Sequence, residues 1–227
     1  MTATPIRPRA LWLFITALLV GASYCAAGQH GDATVPVIVW KATAVALLAV
    51  WAAINARGRD GWLIALVLAL GALGDAVIER SQIGGAIPFL AGHIVALVLY
   101  LLHRRTSASP SQRALALLLL VATPVIAYLL PADRGAAVGV AVYALGLGAM
   151  AGSAWASRFP RYRVGIGAVL FVVSDLLIFS RMGPLKGSII PDLLVMPLYV
   201  AGQALIAWGV VTTLLKWKAD EDLHHRL

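Results

Sequence analysis

Two aspartates stand where water is scarce. Asp75 lies in the stretch "LALGALGDAVIE" and Asp175 in "AVLFVVSDLLIF", each inside a long apolar run. Two carboxyl groups in one site, one protonated and one ionised, can divide the work of general acid and general base. An unpaired carboxylate in hydrocarbon is costly, so each of these must find a partner or a wet cavity. The same apolar runs contain further polar side chains: Lys41, His93, Tyr143, Tyr199 and Gln203. Glu79 lies one helical turn beyond Asp75 on the same face. Each has a plain structural reading as well. An isolated Tyr or Gln serves more often as an interhelical hydrogen-bonding residue. Lys41 can snorkel to the interface, His93 can be a satisfied core histidine, and Glu79 with Arg80 can sit at the membrane surface. A structural pair with Lys or His would account for one aspartate, but not for all of these groups together.

Composition states what must position them. Of 227 residues, 61% are hydrophobic and only 12% charged, and mean hydropathy is +0.88. Soluble domains carry roughly 25% charged residues. A bilayer-spanning helix needs about 20 mostly apolar residues, and such runs follow one another nearly end to end. The chain reads as a single all-α, polytopic membrane bundle of eight helices: 10–28, 35–55, 61–78, 86–103, 112–130, 135–157, 163–181 and 192–216. Residues 1–9 and 217–227 are left as short tails.

The net charge of +8 and the pI near 10.2 have a topological cause. One set of loops and ends holds 13 Lys and Arg residues and the opposite set only 4, with Lys41 inside a span. The positive-inside rule then puts both termini in the cytoplasm, and nucleic-acid binding is not needed to explain the basicity. A cleaved signal peptide is a competing reading of the first segment, with its basic start and small residues near Cys25. A lipobox is excluded because Tyr24 before Cys25 is not small. The lone Cys25 rules out an internal disulfide and a cysteine metal cluster, and it reads as a small apolar residue. No cofactor or metal is called for, since His93 is the only histidine at the depth of the aspartates.

Those depths follow from the helical rise of 1.5 Å per residue. Counted from the expected helix ends, Asp75 lies ~10 Å and Asp175 ~14 Å below the outer edge of the core. Lys41, His93, Tyr143 and Tyr199 lie ~9–10 Å deep and Gln203 ~15 Å. Six helices therefore place polar groups in one slab of the outer half. For the pair to work, both carboxyls must meet in one pocket that opens toward the external face. Helices 3–4 and 7–8 also repeat a pattern of Asp followed by an early Pro (Pro88, Pro197), as an old four-plus-four duplication would. The run "GLGAMAG" permits close helix packing.

The pieces "LGDAVIE…GGAIPFLAGHIVALVLY", "GAVLFVVSDLLIF" and "LYVAGQALI" resemble the YhhN-like integral membrane lysoplasmalogenases over roughly residues 36–210. The resemblance rests on Gly74-Asp75, on Phe89-x-x-Gly92-His93, on Ser174-Asp175, on Tyr199-x-x-x-Gln203 and on Lys41. Two departures remove no chemical group: Ala42 stands where the family often has Pro, and Pro88 precedes Phe89 outside the family pattern. The resemblance implies an eight-helix fold and hydrolysis of the vinyl ether bond of a lysophospholipid substrate in a membrane. Asp75 and Asp175 would be catalytic. Lys41, His93, Tyr143, Tyr199, Gln203 and Glu79 would bind or orient the substrate. A bacterial inner membrane is the expected location. The rival class is a proton-coupled secondary transporter, which also uses intramembrane Asp, Lys and His. Such carriers show interrupted helices, to which only Pro191 and Pro197 hint. An aspartyl intramembrane protease is disfavoured because the Gly-x-Gly-Asp motif is absent at Asp75.

Overall fold

A computed structural model describes residues 8–27 and 34–224. These form eight α-helices: α1 (Leu11–Ala26), α2 (Val35–Ile54), α3 (Gly58–Ile78), α4 (Gln82–Leu102), α5 (Pro110–Leu129), α6 (Arg134–Ala156), α7 (Ile166–Ser180) and α8 (Ile190–His224). A single π-helical turn over Arg161–Gly165 leads into α7. Seven of the helices are long and apolar enough to cross a membrane, and α1 is apolar but shorter. The expected all-α polytopic architecture and helix count stand. The loop between α1 and α2 falls largely outside the described residues, as do residues 1–7 and 225–227 of the expected tails.

Local chemistry sets the helix ends. Ser109 caps α5 in a reciprocal capping box with Gln112, Ser81 caps α4 through the Gly84 N–H, and Asp133 caps α6 through the Gly135 N–H. Each satisfies a backbone donor that the helix itself leaves free. Gly58, at φ +67°, makes the tight turn between α2 and α3, a conformation that glycine adopts without steric cost.

Most successive helices pack against one another, but α4 rests on α6 rather than on α5, and α8 is the hub, touching α1, α2, α3 and α7. Of the apolar stretch of α8, 61% is buried, against 17% for α5, which lies at the lipid-facing rim. In hydrocarbon, helices associate through close packing of small residues rather than through a hydrophobic force. Gly148 and Gly152 of the GLGAMAG run do this: a Cβ on either would come within 2.6 Å of a carbonyl oxygen of α5. Gly167 and Gly202 bring α7 against α8 in the same way. Toward one end the core is aromatic, with Trp51 stacked on Trp208 at 5.8 Å and Phe14 against both.

The cations cluster as the sequence pattern requires. Arg9 is tied to Asn55, Arg104 is paired with Ser157, and Arg158 lies over Trp217. The starts of α1, α3 and α5 and the ends of α2, α4, α6 and α8 thus share one basic face.

Two expectations are corrected at α8. The helix runs through Pro197 without a break, so the hint of an interrupted, carrier-like helix disappears. It also continues past residue 216 to His224. Lys218 pairs with Glu221 and Asp222 one turn on, and such i,i+3 and i,i+4 pairs support a helix outside the apolar zone.

Candidate functional site

The polar groups of the outer half meet as two short chains of hydrogen bonds. On one side the Tyr199 hydroxyl of α8 donates to Asp75 Oδ2 of α3 at 2.7 Å, and the Gln203 amide lies beside the Tyr199 oxygen. On the other side the Tyr143 hydroxyl of α6 donates to Asp175 Oδ2 of α7 at 2.7 Å. His93 Nε2 of α4 lies 3.1 Å from the Tyr143 oxygen. Since that hydroxyl gives its proton to Asp175, the imidazole donates to it, which fixes the tautomer by the network. Asp75, Asp175, His93, Tyr199 and Gln203 are all buried. Hydrogen bonds to a charged acceptor contribute ~1.5–3 kcal/mol each, which goes some way to explaining how two carboxyls are kept in so apolar a bundle.

Phenylalanines join the two chains. The Phe171 ring is 5.1 Å from His93 and 5.2 Å from Tyr199. Phe89 stands edge-on to Tyr199 at 6.0 Å and to Phe171 at 6.3 Å. Between them lies a cavity of about 10 Å³, faced by Gly71, His93 and Gln203 as well as both rings. That is about the room one water needs. The two carboxyls sit one turn along α3 and α7 from Gly71 and Phe171, within coulombic reach of each other.

A third element stands at the margin. Lys41 of α2 forms an ion pair with Glu79 at the end of α3, and both lie within coulombic reach of Asp75. Tyr24 packs edge-on against Trp40 at 5.6 Å beside them.

All eight polar residues singled out in the sequence therefore fall in one connected region. Two details differ from expectation. No hydrogen bond joins the carboxyls directly, since each is held by its own tyrosine. The cavity is also far smaller than a lipid headgroup, with the Phe89 and Phe171 rings among its walls. Asp75 is served by α8, with Lys41 of α2 within reach, whereas Asp175 is served by α6 and, behind it, α4.

Sequence reasoning missed the cavity walls. Their signal is the helical register: Gly71, Phe89 and Phe171 lie four residues before Asp75, His93 and Asp175, and so on the same faces. Gly71 leaves room for the amide, since a Cβ there would come 3.1 Å from the Gln203 amide nitrogen, a tight contact. Ser174 is buried and donates to the Val195 carbonyl at 3.0 Å, fastening α7 to α8 beside Asp175. Among the described residues no group of three or more His, Cys, Asp and Glu is placed to hold a metal ion.

Fold and site together define a polytopic helical membrane protein with a desolvated centre built around two carboxyl groups. The YhhN family model matches residues 37–210, most of the chain, and the protein belongs to the YhhN family. No curated protein and no solved structure matches it.

Proposed function

We propose that this protein hydrolyses the vinyl ether bond of lysoplasmalogens in the inner membrane of a bacterium, releasing a fatty aldehyde and a glycerophospho-ethanolamine or -choline. The observation that carries the reading is the pair of buried aspartates, each held by one tyrosine and each one helical turn from a residue that lines the small cavity. Membership of the YhhN family supports it.

The chemistry needs one protonated acid, one carboxylate and one water. The acid adds a proton to the alkene carbon remote from the ether oxygen, and the other carbon becomes an oxocarbenium ion. The carboxylate stabilises that cation and takes a proton from water as its oxygen attacks. The resulting hemiacetal collapses: its hydroxyl proton is lost, the carbon–oxygen bond to glycerol breaks, and the glycerol oxygen leaves with a proton. Both carboxyls regain their starting state. Asp175, in line with Tyr143 and His93, suits the proton-donating role because an imidazole can pass protons along. Asp75, backed by an amide that orients but does not relay, suits the role of carboxylate. Lys41 meets the lipid phosphate as a point charge.

The cavity has no room for a lipid, so α-helices must part around Phe89 and Phe171 to admit the alkenyl chain. The test is aldehyde release by the purified chain supplied with 1-alkenyl-lysophospholipid. D75N and D175N are expected to abolish it while folding normally. Wild-type turnover in both variants would sink the proposal.

A further inference from the structure

We propose that the basic face carries a second site, unrelated to the carboxyl pair, that binds the phosphate group of an anionic phospholipid. A cleft of about 270 Å³ opens where the start of α1, the end of α2 and the last turns of α8 meet. Arg9, Asn55 and Arg57 form one wall. The other is a single stripe of α8, Leu215, Lys218, Ala219 and Asp222, at the spacing that shares a helix face.

The walls are built, not incidental. Asn55 is buried, and its side chain is fully used as a clamp. It accepts from the Arg9 N–H at 2.6 Å and donates to the Arg9 carbonyl at 3.0 Å and the Trp51 carbonyl at 2.8 Å. The clamp holds Arg9 by its backbone and leaves the guanidinium to the cleft. Ala219 is small and keeps the opposite wall back.

The charge is unbalanced. Three cations line the cleft with one carboxylate, Asp222, and that carboxylate is 3.2 Å from Lys218. Among the described residues neither Arg9 nor Arg57 has a carboxylate partner. Guanidinium groups match phosphate oxygens two at a time. The positive-inside tendency explains why cations lie at this end, but not why two exposed arginines and a lysine turn toward one cleft.

Depth points to a lipid as the carrier of the phosphate. Trp12 and Trp62, each more than 60% exposed, lie within a turn or two of Arg9 and Arg57, and exposed Trp marks the headgroup level of a bilayer. Leu215 gives the cleft an apolar floor on the membrane side. Basic pockets between helices at this level suit anionic headgroups.

The test uses the full chain in neutral phosphatidylcholine nanodiscs with and without phosphatidylglycerol, and in detergent with inorganic phosphate. Bound phosphatidylglycerol is counted by native mass spectrometry and titrated by thermal shift. The wild type is expected to retain phosphatidylglycerol. R9Q/R57Q, which spares the Asn55 clamp, is expected to bind it roughly 30-fold more weakly. R113Q/R163Q removes as many cations from the same face away from the cleft and should change little. R57Q alone, at an exposed side chain, gives the smaller loss if the double variant folds poorly. Equal losses in both double variants would reduce the effect to diffuse surface charge and overturn the site. Stabilisation by inorganic phosphate equal to that by the lipid would overturn the lipid as its source.

Discussion

The two aspartates are held alike yet surrounded differently. Each carboxyl accepts from one tyrosine at the same 2.7 Å, and each tyrosine is backed by a nitrogen donor. Behind Asp175 that donor is His93, which can lose one proton and gain another. Behind Asp75 it is Gln203, whose amide cannot. Asp75 also shares its surroundings with the partly exposed Lys41–Glu79 pair, whereas the Tyr143 that serves Asp175 packs edge-on against Phe179. On the proposed function, the contrast fits one carboxyl to proton traffic and the other to steady charge.

The sharpest way to break the contrast is to remove each carboxyl. D75N and D175N should each lower aldehyde release by ~10²–10⁴-fold, the usual worth of general acid–base help, measured as single-turnover rates. H93Q, which keeps a donor but ends the relay, should cut the rate of proton delivery with little change in KM. Q203A should spare that step, and equal rate losses in the two would erase the distinction drawn here. Y143F and Y199F each leave a buried carboxyl without its donor and should cost ~1–3 kcal/mol of stability, read by unfolding in micelles. K41M should raise KM several-fold while leaving kcat nearly unchanged, since a partly exposed ion pair is worth ~1 kcal/mol. The smallest expected effect is that of E79Q on stability, for the same reason.

The sequence made the helices and the polar slab legible for one physical reason: polar groups inside hydrocarbon are rare enough to stand out. It could not say which tyrosine serves which aspartate. Counting residues along a helix gives height, whereas pairing depends on azimuth around the bundle, and α6 and α8 reach opposite sides of the centre. Phe171 was invisible for the converse reason, being an apolar residue in an apolar helix, and Phe89 stood out only through the family resemblance. The end of α8 was read short because "KWKADEDLHH" looks like a solvated tail. Its charges are there, but they pair along a helix.

The length of α8 has one further consequence. Its 35 residues extend ~52 Å, well beyond a hydrocarbon core of about 30 Å. Lys216, Lys218, Asp220, Glu221 and Asp222 cannot be drawn into lipid, so they pin the vertical position of the rod at the basic face. Tyr199 and Gln203 ride on the same rod, ~20–25 Å above Lys216. In bilayers of different thickness the reactive centre keeps its altitude above the basic surface, and all of the variation appears as distance to the opposite leaflet's headgroups. On the proposed function, lipid chain length in the host membrane then sets how far a substrate must sink to reach the carboxyl pair.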